Sequence, residues 1–147
     1  MWTVLLAVVL TFFGTLVGFR YTDRQSRLIN KIAEVKSEID SIANRGYEYW
    51  ILPPGSEISN LSVLPIENSL KQLGASIQWF DQQPWITTAD ASRHLTAFRQ
   101  AITGGNFATV GHSPDHQRAE DVKSASHSLK LALDGASVDL RATLLLR

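Results

Sequence analysis

The first nineteen residues, MWTVLLAVVLTFFGTLVGF, carry no charged side chain, and charge begins at Arg20. At 1.5 Å per residue a helix over this run is about 28 Å long, close to the hydrocarbon thickness of a bilayer. Trp2 and Tyr21 stand near its two ends, where amphipathic rings settle at the headgroup level. No Lys or Arg precedes the run and no small-x-small cleavage site follows it, which points to a retained anchor rather than a signal peptide. The pattern therefore predicts a transmembrane helix over residues 1–19. Arg20, Arg24, Arg27 and Lys31 come next, with Asp23 among them. This basic edge predicts contact with anionic headgroups, and by the positive-inside rule it places the C-terminal part of a single-pass membrane protein in the cytoplasm.

Residues 20–45 read as a helical stalk. Leu28, Ile32, Val35, Ile39 and Ile42 are spaced four, three, four and three apart, the narrow seam of a coiled coil. The same register extended backward passes through Gly18, Gly14, Thr11 and Ala7. Gly14 and Gly18 form the GxxxG spacing that lets two helices approach backbone to backbone. All nine residues are therefore expected to serve oligomerisation, with a second copy or another membrane subunit. Lys31 and Lys36 oppose a simple parallel pair, since they would face one another as like charges. The alternative is that the seam docks on the protein's own domain or on another subunit's helix.

Residues 46–147, about 100 in number, suffice for one compact domain. Tyr47 to Leu52 is rich in aromatic and β-branched residues and reads as a strand. Pro65 to Leu73 reads as a short helix closed by Gly74, and Ser76 to Phe80 as a second strand. Thr87 and Asp90 open a helix with Ala91, Leu95, Phe98 and Ile102 on its inner face, ended by Gly104-Gly105. Phe107 to Val110 follows as a short strand, and Ser113-Pro114 starts a long helix to about Leu133. From Ala136 the tail alternates, Val138, Leu140, Ala142, Leu144 and Leu146 sharing one side, as in a half-buried strand. The expected fold class is α+β, a small mixed sheet covered by helices, with an all-helical bundle as the alternative. Trp50, Trp79, Phe80 and Trp85 are assigned to the core of this domain rather than to a recognition surface.

The chain has 14 basic and 14 acidic residues and no cysteine. Balanced charge leaves no footprint for a long nucleic acid, and disulfides are excluded. His112, His116, Glu120 and His127 make residues 111–127 dense in possible metal ligands. On a helical wheel His116, Glu120 and His127 lie within about 40° of one another, on the side opposite the apolar face, where side chains are solvated by default. No metal site and no cofactor is expected there, since a site needs convergent ligands in a dry cleft. The zincin pattern, nucleophile elbows, phosphate-binding loops and G-x-G-x-x-G are absent from the sequence. The run VGHSPD followed by Arg118-Ala119 resembles the strand-to-helix turn of OmpA-like peptidoglycan-binding domains. Asp115 comes one place later than that pattern requires and the downstream Asn and Leu-Ser are missing, so no site residue is carried over.

With no catalytic constellation, the chain reads as a membrane-anchored interaction protein, a subunit, scaffold or regulator acting through a small cytoplasmic domain. Two alternatives stand beside it: a membrane-acting effector or toxin assembling through its first helix, and a metal-dependent enzyme using the histidine-rich segment.

Overall fold

A computed structural model describes residues 2–53, 63–88, 90–105, 107–109 and 113–138, the side chains of residues 2–6, 8 and 9 excepted. Among the described residues the chain forms four helices, α1 (Trp2–Ile51), α2 (Val63–Gln82), α3 (Ala91–Thr103) and α4 (His116–Asp134). Two short strands, β1 (Ile86–Thr87) and β2 (Ser137–Val138), pair antiparallel with Ile86 opposite Val138 and Thr87 opposite Ser137.

The buried positions explain the architecture. Ile66, Leu70, Leu73, Ile77 and Phe80 on α2, Ala91, Leu95, Phe98 and Ile102 on α3, and Ala119, Val122, Ser126, Leu129 and Leu133 on α4 all recur at intervals of three and four. On α1 the matching seam is Leu28, Val35, Ile39 and Ile42, ending in Tyr49 and Trp50. Four such seams close on one another as an antiparallel bundle. Each helix packs on its neighbours in chain order, and α4 returns to α1. The α1–α4 register is marked by ion pairs Lys36–Asp134 and Lys130–Asp40, the latter at 2.6 Å. It continues with Lys123 3.8 Å from the Tyr47 ring and Arg118 4.9 Å from the Trp50 ring.

These observations correct the expected α+β class: among the described residues the mixed sheet is absent, and four helices with one two-stranded pair stand in its place. Residues 47–51 form the end of α1 rather than a strand, and Leu52 is the bend that follows it. Tyr49 and Trp50 are 2% exposed; the Trp50 indole donates to the Ile102 carbonyl at 3.0 Å and the Tyr49 hydroxyl accepts from the Ala108 amide at 3.0 Å. Aromatic enrichment here serves packing between helices, and packing overrides β-propensity. Residues 76–80 likewise continue α2, because Ile77 and Phe80 extend the seam of Leu70 and Leu73. Gly74 does not end that helix.

Of the expected strand at 107–110, residues 107–109 form a turn, and Val110 lies outside the described residues. The alternating tail is described only through Val138. α3 and α4 stand near their expected positions, with different starts. Asp90 is left-handed at φ 56° and makes no side-chain cap, whereas Asp115, not Ser113, caps α4 by accepting from the Arg118 amide at 2.9 Å.

Among the described residues no helix is long and apolar enough to cross a membrane. The expected span at 1–19 is corrected on this finding. The single-pass, membrane-anchored description and the cytoplasmic placement of the C-terminal domain rested on that span and are corrected with it.

Candidate interaction surface

Among the described side chains of α1, Leu28 is the first that the bundle buries, at 3% exposed. N-terminal to it α1 continues without a break, which makes residues 7–20 an arm projecting beyond the body. Phe19 is 75% exposed, Leu10 and Phe12 64% and Phe13 50%. At 100° per residue Phe12, Leu16 and Phe19 fall within about 60° of one another, on the side of the helix away from the core seam. α2 and α4 cover the seam side, so the body leaves this face open.

The polar residues of the arm do not interrupt its apolar character. Thr11, Thr15 and Thr22 each donate their hydroxyl to the carbonyl four residues back, at 2.8, 2.7 and 2.8 Å. Their hydrogen-bonding capacity is thereby used within the helix. At Gly14 and Gly18 nothing lies within 4 Å of where a Cβ would stand. A partner backbone has room to approach both.

The expected oligomerisation seam is thus divided by the structure. Ala7, Thr11, Gly14 and Gly18 are exposed on the arm, whereas Leu28, Val35, Ile39 and Ile42 are buried in the chain's own core and Ile32 is half-buried against it. The 3–4 spacing is the same in both halves, but only the lower half meets α2 and α4. Exposed Phe12, Phe13, Leu16 and Phe19 carry the arm's apolar area and did not enter the sequence reading. Their position away from the seam was the available signal.

At the base of the arm lie the four cations. Arg20 is exposed, and Arg27 pairs with Asp23 at 3.1 Å. Lys31 pairs with Glu34 at 2.7 Å, and Arg24 stands 5.6 Å above the Trp85 ring. Trp79 meets Trp85 edge to face at 6.2 Å. Trp50 and Phe80 are core, as expected, while Trp79 and Trp85 are only half-buried at its edge. An open groove of about 580 Å³ runs between α1 and α2 here, walled by Arg27, Lys31 and Glu34 on one side and Ser76 and Trp79 on the other.

Farther along that groove Ser76 donates to Glu38 at 3.4 Å. Burial pushes the Glu38 carboxyl above its ordinary value, against the Ser76 hydrogen bond and the charge of Lys31, which lower it.

His116, Glu120 and His127 are exposed on α4, and His112 lies outside the described residues. Among the described residues no three His, Cys, Asp or Glu side chains gather to hold a metal ion. Glu120 instead pairs with Lys123 at 3.3 Å. Arg118 lies against the Trp50 ring and Gly104-Gly105, where an added Cβ would meet its guanidinium at 2.6 and 2.8 Å. These contacts join the α3–α4 connection to the end of α1, a structural role.

No family model, no curated protein and no solved structure matches this chain.

Proposed function

We propose that the protein acts by binding, as a helical subunit, scaffold or regulator that presents the arm of α1 to a partner protein. The exposure of Phe12, Phe13, Leu16 and Phe19 supports this reading. Three phenylalanines at these exposures leave about 400 Å² of ring surface in water, with rings taken at about 200 Å² each. An apolar area of that size matches the largest patch on a typical monomer, which is often functional. The threonine hydroxyls, bonded inside the helix, add no group that a dry interface would leave unsatisfied.

Purification of the full chain in non-denaturing buffer, with sizing by light scattering, tests the reading. The native chain is expected to retain a partner protein or to self-associate, and the F12Q/L16Q/F19Q variant to lose that association while its far-UV circular dichroism stays the same. A lone monomer in both preparations sinks the proposal. Because these side chains are exposed, the triple variant is expected to change unfolding free energy by less than about 0.5 kcal/mol.

A further inference from the structure

We infer that the groove between α1 and α2 at the foot of the arm receives an acidic, amphipathic helical segment of a partner protein. This rests on the reading that the protein works by binding, but it concerns a surface distinct from the arm's apolar face.

Three observations carry it. Arg20, Arg24, Arg27 and Lys31 are spaced four, three and four residues apart, which puts all four within about 60° on one side of α1. Trp79 lines the other side of the groove, and Trp85, next to that lining, meets Trp79 edge to face and carries Arg24 over its ring at 5.6 Å. Basic side chains beside half-buried indoles select a ligand that is acidic along one edge and apolar along the next. The shape agrees: the groove lies between two adjacent helices, and its volume of about 580 Å³ is open along its length, so it accepts a third helix rather than enclosing a small molecule.

The stripe already shows which anion it holds. Arg27 and Lys31 each carry a carboxylate from their own helix, Asp23 at 3.1 Å and Glu34 at 2.7 Å. The Arg27–Asp23 side chains are 69% and 48% exposed, and exposed pairs of this kind contribute about 1 kcal/mol or less, so an incoming carboxylate displaces the local one at little cost. A dense polyanion such as nucleic acid is disfavoured because the balanced charge of the chain provides no compensating field.

The test titrates the full chain with a tryptophan-free peptide repeating Glu-Glu-Leu, followed by tryptophan emission, since Trp79 lines the site and Trp85 packs against Trp79. A saturable emission change that weakens as salt is raised is expected. Charge reversal in the R27E/K31E variant is expected to weaken binding about tenfold or more, with circular dichroism reporting that the bundle is intact. The F12Q/L16Q/F19Q variant is expected to bind the peptide as the native chain does, so loss of the arm's association and loss of peptide binding are read separately. Equal binding of a Lys-Lys-Leu peptide, an unchanged affinity in R27E/K31E, or a response to phosphatidylserine vesicles or inorganic phosphate with none to the acidic peptide overturns the inference.

Discussion

Gly74 occupies the middle of α2, where a glycine ordinarily costs about 1 kcal/mol relative to alanine. Its reason is Arg99. The Arg99 guanidinium crosses over Gly74 and donates from Nη2 to the Leu70 carbonyl at 2.8 Å, and a Cβ on residue 74 would stand 2.1 Å from that nitrogen. Among the described residues Arg99 Nε is buried with no acceptor, so this guanidinium has little room to retreat. Gly74→Ala is therefore expected to destabilise the bundle by about 1 kcal/mol, the lost Leu70 hydrogen bond outweighing the gain in helix propensity. In an Arg99→Met background the same substitution is expected to stabilise by about 1 kcal/mol. Urea unfolding of the four proteins of this cycle decides it, and equal effects of Gly74→Ala in both backgrounds would show the two residues to be uncoupled.

At the scale of the element, α1 is one helix with two energetic regimes. Residues from Leu28 to Trp50 are held by the bundle, residues 21–27 touch its edge through Arg24 over Trp85, and the arm of residues 7–20 lies beyond it. A proline in each half separates them. Ser41→Pro, at an exposed position within the packed part, is expected to cost about 3 kcal/mol or more by breaking the helix against its neighbours. Thr15→Pro kinks the arm and is expected to leave the unfolding midpoint unchanged; a comparable loss from both would mean that the arm supports the core.

The 3–4 seam from Leu28 to Ile42 was legible in the sequence because heptad-like spacing is local. Whether it met another chain or this one was not, since that depends on α2 and α4 carrying the same spacing at Ile66 to Phe80 and Ala119 to Leu133. Tyr47 to Leu52 and Ser76 to Phe80 misread as strands for a related reason. In windows this short, aromatic and β-branched composition outweighs periodicity, and only their continuation of longer seams shows them to be helical. The face of Phe12, Leu16 and Phe19 went unread because an uninterrupted apolar run has no visible polar side against which to set a direction.

For the whole molecule, the α1–α2 groove links stability to pH through Glu38. Burial raises its carboxyl above the ordinary value, so the folded chain binds this proton more tightly than the unfolded chain does. The favourable contribution of this group is then complete at low pH and declines as pH rises through the ordinary carboxylate range to the shifted value. Glu38→Gln abolishes the decline. The variant is expected to exceed the native protein in stability near neutral pH, with the gap closing under acid, as denaturant midpoints measured across that range would register. A gap that widens under acid would contradict the burial argument.

The unbroken course of α1 has a kinetic and entropic meaning for the arm. An isolated helix must first nucleate, fixing several residues for a single hydrogen bond, and short helices are marginal in water for that reason. Here the turns from Leu28 onward, fixed by the core, already serve as the nucleus, and the segment up to Phe19 has only to propagate from it, one hydrogen bond per residue. A partner that closes over Phe12, Leu16 and Phe19 thus meets a helix templated from within the bundle, and less of its binding energy goes into ordering what it binds.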